Sequence, residues 1–364
     1  MKFSPFLRDR ILLLLLLLTV LLKLFARNEE WVERYYTFGV YPYLSRGFRT
    51  IFGWIPFSVG DLLYIVAAIF LLLKTWKYLR AAIKGNWRAW FNGALARKII
   101  RALLIIYLAF NVLWGLNYDR VGVAKQFDLE VPIYNKADLL QLTAALQKQL
   151  CRYAEGMDTA GRRELDNNQA LFGKGVSSFA AVQPSRPYLE YTPSSIKASL
   201  ITPLGRYFGF TGYYNPFTSE AQLKTSVPSF VKPFVLCHEI AHQLGYAKEN
   251  EANFISFIVA RSSPDVHFRY SVYFDMYLYA LAELVEEDFT AAWMMANTAH
   301  PQVKRDRRAY AEYLRGEKNS IEPFVSSFYD QYLKLNNQPK GRGSYNQVVG
   351  WLIALMKKEG AASI

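Results

Sequence analysis

The sequence predicts a multi-pass α-helical membrane segment followed by a mainly α (α+β) domain. Three long apolar runs lie within the first 120 of 364 residues, and the rest of the chain has no further run long enough to cross a bilayer. That second part also carries two histidines one helical turn apart. We therefore expect a membrane region at residues 1–118 and one separate domain at residues 119–364.

The three apolar runs predict membrane-spanning helices at about residues 9–27, 57–76 and 99–117. The first is almost entirely leucine, and aromatic and lysine side chains flank the second, as at membrane interfaces. A cleaved signal peptide is the alternative for the first run, but no small-residue cleavage site follows it, so we expect an uncleaved anchor. The other two runs could instead be buried helices of a soluble core. Three such runs within 120 residues make that alternative improbable.

Positive charge is concentrated in the first third of the chain. Residues 1–120 contain 17 Lys+Arg and 6 Asp+Glu, and the loop between the second and third runs has eight bases and no acid. By the positive-inside rule, the N-terminus and this loop are cytoplasmic, so a domain after three spans lies outside the cytoplasm of a bacterial plasma membrane. The nearly neutral remainder argues against a nucleic-acid partner.

The motif His238-Glu239-Ile240-Ala241-His242 is the strongest chemical signal. On a helix, residues i and i+4 lie on one face, so His238 and His242 can bind one Zn²⁺ while Glu239 stands beside it as a general base. Gly245 is placed to end the helix. An amphipathic helix with two incidental histidines is the alternative.

A catalytic zinc needs a third protein ligand and an open position. After the glycine, a second apolar helix is expected, on which Glu249, Ala252 and Asn253 share one face. We therefore favour Glu249 as the third ligand, keep Glu251 as the alternate, and expect Asn253 to hydrogen-bond a ligand. Both glutamates could instead be ordinary acids of a first helical turn.

The segment HEIAHQLGYAKENEANF resembles the motif helix and glutamate helix of gluzincin metallopeptidases. In that family the first glutamate of E-x-E-A-D/N is a zinc ligand, which implies Glu249 here, although only six residues separate it from His242, where membrane gluzincins have dozens. Most of the chain also resembles an uncharacterised bacterial membrane-protein family known only as a domain of unknown function. That resemblance rests on the three spans, Asn117-Tyr118, the 212–220 segment, the motif block and Ser344-Tyr345.

Two neighbouring segments are candidate parts of the site. Residues 207–225 are rich in aromatics and threonine and predict either an ordinary hairpin or a substrate-facing wall. Hydrolysis also needs a donor for the developing oxyanion. We choose Tyr270 from four candidates: His267, Arg269, Tyr270 and Tyr273. A Tyr or His at a helix end is more often a packing residue, which is the alternative.

Three further expectations complete the prediction. Cys151 and Cys237 are each expected as a buried free thiol, and Asp306, among four bases, as part of a solvated charged face. The pattern as a whole predicts a membrane-anchored, zincin-like domain that hydrolyses a protein or peptide substrate with Zn²⁺. A non-catalytic membrane module with a structural or sensory metal site is the alternative, and Glu239 favours the enzyme because a structural site would not need it.

Overall fold

The computed structural model describes residues 9–85, 93–130, 133–341, 343 and 347–364. Some residues on which the sequence analysis depends lie outside these ranges. They are Ser344-Tyr345, the N-terminal bases Lys2 and Arg8, and Arg88 in the basic loop. Within the described chain, helix dominates and strands form one small sheet. The expectation of a mainly helical chain with a minor sheet is therefore confirmed.

Helices account for nearly all of the N-terminal part. They are α1 (Arg10–Ala26), α2 (Glu29–Trp31), a π-helical stretch (Val32–Val40), α3 (Tyr41–Phe52), α4 (Val59–Ile83) and α5 (Gly93–Leu113), followed by a 3-10 turn (Gly115–Asp119).

Helix α4 is long and apolar enough to cross a bilayer. Its 25 residues extend about 37 Å at 1.5 Å per residue, and most of its apolar side chains are exposed. Helix α1 passes the same test only together with Glu29–Phe52, to which it is joined at a bend of 95°. Among the described residues, therefore, one helix could span a membrane, or two if the bent pair is one span. Helix α5 does not qualify, because Arg97, Lys98 and Arg101 lie in its first half.

The connection between the first two predicted spans, residues 27–54, was expected to be a loop, but it is helical over Glu29–Phe52. Helix α3 buries Tyr41, Ser45 and Arg49, which recur every four residues and so share one face. Their side chains bond to the carbonyl oxygens of Gln243 and Pro193, with distances of 2.8 Å from Tyr41, 2.9 Å from Ser45 and 2.9 Å from Arg49. This part of the membrane region is therefore packed against the second half of the chain.

The second half forms a layer of helices against one sheet. The helices are α6 (Val123–Gln126), α7 (Lys136–Glu155), α8 (Thr159–Glu164), α9 (Asn168–Val182), α10 (Gly205–Phe208), α11 (Lys232–Gln243), α12 (Glu249–Arg261), α13 (Val266–Glu287), α14 (Phe289–Thr298), α15 (Pro301–Glu317), α16 (Glu322–Leu335) and α17 (Val348–Glu359), with 3-10 turns at Pro187–Leu189, Thr202–Leu204 and Ala361–Ser363. The long helix α13 packs along α7 and α12, and their apolar faces form the main core.

The sheet has three strands in the order β1 (Ile196–Ala198), β3 (Glu220–Leu223), β2 (Gly212–Asn215). Strand β1 is parallel to β3, while β2 and β3 form an antiparallel hairpin in which Tyr214 pairs with Ala221. The hairpin falls inside the 207–225 segment. Helix α11, which carries the two-histidine motif, packs against β2 and β3. Because β3 is central, β2 is an edge strand beside the motif helix.

The structure differs from the expectations for Cys151 and Asp306. Both cysteines are free, but only Cys237 is fully buried, and Cys151 is partly exposed. The expectation for Asp306 was wrong: it is buried and accepts hydrogen bonds from Arg162 (3.0 Å), Gln302 (3.0 Å) and the Tyr270 hydroxyl (2.5 Å). These partners compensate the burial of its charge.

Candidate metal centre

Helix α11 presents the two motif histidines on one face. Pro233 lies in its first turn, where a missing N–H costs nothing, and the helix ends at Gln243. Gly245 follows with φ +94°, a conformation that favours glycine, and a side chain there would meet the Tyr41 ring at 3.0 Å. The chain then turns back, so that α12 begins at Glu249 within reach of both histidines.

Three side chains converge at this turn. Nε2 of His238 lies 3.1 Å and Nε2 of His242 3.5 Å from the same Oε2 atom of Glu249. One ligand atom from each of the three residues lies within 4.8 Å of the others. All three side chains are buried. The structure thus brings together the three residues that the sequence analysis selected as ligands.

The outer nitrogen of each imidazole is fixed by a hydrogen bond. Nδ1 of His242 lies 2.7 Å from the carbonyl oxygen of Tyr246, which can only accept, so this nitrogen carries the proton. Nδ1 of His238 lies 2.8 Å from Oδ1 of Asn253. With Nδ1 protonated, Nε2 is a lone-pair donor in a neutral ring and faces a carboxylate oxygen. Two such groups repel each other unless a cation lies between them, either a proton on Nε2, which then donates to Glu249, or a metal ion. Imidazole nitrogen with carboxylate oxygen is a ligand set that suits zinc.

The electrostatics agree with a site for positive charge. Burial disfavours ionisation of Glu249, but hydrogen bonds from both histidines hold its pKa well below the ordinary value. Burial would lower the pKa of His242, yet the Glu249 carboxylate raises it to about 9. Burial and the neighbouring His242 lower the pKa of His238, so the cluster favours a single positive charge, either a proton on His242 or a metal ion in its place.

Glu239 lies beside this cluster with an uncommitted oxygen. Among the described residues its Oε2 atom has no hydrogen-bond partner although it is buried. Burial raises the pKa of its carboxyl to about 8, close to the range in which a general base exchanges protons at neutral pH. A Cβ atom on Gly212 of β2 would lie 2.7 Å from the other oxygen, so only glycine allows the strand to approach this carboxylate.

Glu251 is turned away from the cluster. It is buried, and its Oε1 atom accepts a hydrogen bond of 3.3 Å from the backbone N–H of Val123. Its negative charge stabilises the charged guanidinium of Arg120, which is also paired with Glu33 at 3.1 Å. Between the two glutamates considered from the sequence, the structure places Glu249 at the histidines and Glu251 elsewhere.

The four oxyanion candidates make other contacts. Tyr270 donates to Asp306, Tyr273 to the carbonyl oxygen of Ile364 at 2.7 Å, and Arg269 to that of Ser263 at 2.5 Å, while His267 lies 3.7 Å from Asp158. None of these contacts is with the cluster. Burial beside Asp306 raises the pKa of Tyr270 far above its usual range, which also makes its hydroxyl a poor proton source. The structure does not bring Tyr270 to the site.

Two residues that the sequence analysis did not select contact the cluster. The hydroxyl of Tyr329, on α16, donates to Oε1 of Glu249 at 2.6 Å, and Nε1 of Trp114, just after α5, donates to the carbonyl oxygen of His242 at 3.0 Å. They lie 80 and 128 residues from their partners along the chain. No local pattern signals such distant contacts.

Comparison with known proteins identifies a family for the chain but gives no activity. No curated protein and no solved structure matches the chain. One family model does match, over residues 36–353, and this range includes α4, α5 and the whole histidine–glutamate cluster. Since the match covers most of the sequence, the chain belongs to the family described as "Protein of unknown function (DUF3810)".

Proposed function

We propose that this protein is a membrane-anchored zinc metallopeptidase that hydrolyses peptide bonds outside the cytoplasm. One observation carries the proposal: His238, His242 and Glu249 converge within 4.8 Å, and beside them lies a buried oxygen of Glu239 that has no partner among the residues the structure describes. Three ligands with a free carboxylate alongside are the arrangement of a zincin-like catalytic site. A purely structural or sensory metal site gives no reason for the uncommitted Glu239 oxygen.

Each residue then has a defined task. His238, His242 and Glu249 would hold Zn²⁺, which supplies a Lewis acid that lowers the pKa of a nearby water. Glu239 takes the proton from that water and passes it to the leaving amine. Asn253 and the Tyr246 carbonyl oxygen fix the orientation of the two imidazoles, and Tyr329 holds the second oxygen of Glu249.

The membrane arrangement belongs to the same proposal. Helix α4 is the second span, and residues 9–27 and 99–117 are the first and third spans of a multi-pass anchor in a bacterial plasma membrane. The third span takes the apolar part of α5 after Arg97 and Lys98, the bases that keep the whole helix from qualifying. The charge distribution supports a cytoplasmic N-terminus and an extracytoplasmic catalytic domain. The lipid bilayer and a protein or peptide substrate are the partners that this architecture requires.

The decisive experiment compares wild type with Glu239→Gln as full-length proteins in detergent. After zinc reconstitution we expect a metal-to-protein ratio near one for both, while only the wild type cleaves a randomised peptide mixture, read by mass spectrometry. The amide introduced by this substitution keeps the shape of the carboxylate but cannot accept the proton. A ratio near zero for wild type, or equal cleavage by both proteins, would contradict the proposal.

A further inference from the structure

We propose that the substrate is the extracytoplasmic segment of a membrane-anchored polypeptide, cut within a few residues of the bilayer surface. This inference rests on the proposed peptidase function and on the bilayer position of α4. It concerns which peptides reach the site, and follows from how the edge strand, the motif helix and the spanning helices are joined.

Strand β2 connects the proposed catalytic base to the spanning helix. At its first residue, Gly212, the backbone passes so close to the Glu239 carboxylate that an added Cβ atom would lie 2.7 Å from its Oε1 atom. At its last residue, Asn215, the side chain packs against Gly60 in the first turn of α4, where a larger residue would collide with it. Three residues of strand separate these two points, about 10 Å at 3.3 Å per residue. The strand therefore covers about 10 Å of the path from the proposed catalytic base to the start of the spanning helix, and close side-chain contacts complete that path at both ends.

The motif helix is anchored to the membrane region at its other end. Trp114, directly after α5, donates to the carbonyl oxygen of His242, and Tyr41 and Ser45 of α3 donate to that of Gln243. The Trp114 ring also lies 5.2 Å from the ring of Tyr214 in β2. The motif helix is thus held by Trp114, at the end of α5, and by α3, which lies between the proposed first and second spans, while Trp114 also contacts β2. Within the described chain, these contacts tie both walls of the site to segments that adjoin the proposed spans.

The outer edge of β2 is the place for an extended substrate. Within the described chain only β3 pairs with β2, so its other edge can bind a peptide through main-chain hydrogen bonds. Such a peptide would lead from Glu239 towards the first turn of α4, below which the exposed apolar surface of the helix begins at Leu62 and Leu63. A chain anchored in the bilayer needs only about three to five extended residues to cover this distance.

Exposed apolar side chains form a rim that begins at Leu200, next to the first turn of α4, and consists of Leu200, Leu204, Phe208, Phe324 and Phe328. The backbone N–H of Leu200 donates to Asp61 in the first turn of α4 at 2.7 Å, and Asn319, just before α16, donates to the carbonyl oxygen of Arg206 at 2.6 Å. The rings of Phe324 and Phe328 on α16 are 79% and 74% exposed. The occupant that fits this rim is the bilayer, because the rim begins next to the first turn of a membrane helix.

The test uses the full chain in phosphatidylethanolamine–phosphatidylglycerol vesicles. The substrate is a peptide with a 20-residue leucine–alanine span and a randomised tail of about 24 residues, and the same tail without the span is the matched control. We expect cuts to cluster within about five residues of the span, and the anchored tail to be cut at least about tenfold faster than the free one, because anchoring raises its local concentration and fixes its register. Glu239→Gln should bind the anchored peptide in a vesicle pull-down without cutting it.

The two failures are distinguishable. Cuts spread evenly along the anchored tail, or equal rates for anchored and free tails, would overturn the membrane-proximal substrate and leave the peptidase intact. If zinc-loaded protein cuts neither, the proposed function fails and the inference falls with it. The double variant Phe324→Ser/Phe328→Ser should slow cleavage of the anchored tail several-fold but not of the free tail in detergent, and equal slowing of both would contradict the role of the rim.

Discussion

Glu220 accepts a hydrogen bond of 2.6 Å from the backbone N–H of Gly60, across 160 residues of chain. The N–H of Val59 donates to the other carboxylate oxygen at 3.1 Å, and the hydroxyl of Ser58 donates at 3.2 Å. A buried carboxylate thus satisfies orphan donors at the start of α4 and interacts favourably with the helix dipole. Because Glu220 opens the central strand β3, the sheet beside the motif helix is joined directly to the first turn of α4.

We therefore expect Glu220→Ala to destabilise the whole protein. The substitution leaves buried N–H groups of α4 without a partner, each of which costs about 1–3 kcal/mol. Glu190→Ala is the matched control, because its ion pair with Arg46 is exposed and worth about 0–1 kcal/mol. Thermal unfolding in detergent, followed by tryptophan fluorescence, should show a clearly lower unfolding midpoint for Glu220→Ala and almost the wild-type midpoint for Glu190→Ala. Equal midpoints would mean that the contact does not hold the two parts together.

The ligand set predicts an order of zinc affinities. Glu249→Ala should weaken binding by orders of magnitude, and Asn253→Ala by about 10–100-fold, because it frees the His238 ring. Glu251→Ala should stay within a few-fold, since that carboxylate is bonded to the Val123 backbone. Competition with a chromogenic chelator measures these affinities. Loss in Glu251→Ala alone would transfer the third-ligand role to that residue.

Two tyrosines give opposite expectations. Tyr329→Phe removes the donor to Oε1 of Glu249, so zinc affinity should fall by up to about tenfold with little change in unfolding temperature, since the ring is partly exposed. Tyr270→Phe removes a buried donor to Asp306, so stability should fall by about 1–3 kcal/mol while zinc affinity stays unchanged. Chelator competition and thermal unfolding separate the two effects. A drop in peptide cleavage by Tyr270→Phe at unchanged stability would restore its predicted oxyanion role.

Local spacing explains why the residues of the cluster could be predicted from the sequence. His238 and His242 needed only the helical period, and Glu249 and Asn253 followed once a second helix was expected soon after Gly245. Tyr329 and Trp114 were not accessible in this way, because tertiary packing brings them to the site from distant helices.

The error at residues 29–52 has a different origin. Helix α3 buries a face that includes Ser45 and Arg49, so its pattern is not the apolar stripe from which amphipathic helices are usually inferred. The error at Asp306 is similar. Its sequence neighbours are bases typical of a solvated surface, whereas its actual partners Arg162 and Tyr270 come from other helices.

Asp275 predicts a pH dependence of stability. It is buried in α13, its Oδ2 atom has no partner among the described residues, and burial raises its pKa well above the ordinary value. Between the unfolded and the folded pKa, the folded state binds more protons, so Asp275 costs stability progressively as pH rises from about 4. Asp275→Asn keeps the shape without the charge. The difference in unfolding midpoint between variant and wild type should grow in favour of the variant from pH 4.5 to pH 8, and a difference constant with pH would contradict the prediction.

Topology gives the last prediction. The segment Lys74–Arg101, from the last part of α4 to the first half of α5, carries eight bases and no acid, an asymmetry that retains a segment in the cytoplasm. A phosphatase that is active only outside the cytoplasm should therefore be inactive when fused near Lys84 and active when fused after Arg120. A cytoplasmic fluorescent reporter at the same two positions provides the control, with the opposite pattern expected. Activity of the phosphatase at Lys84 but not at Arg120 would place the histidine–glutamate cluster in the cytoplasm. The substrate would then have to be a cytoplasmic segment, which contradicts the proposed extracytoplasmic one.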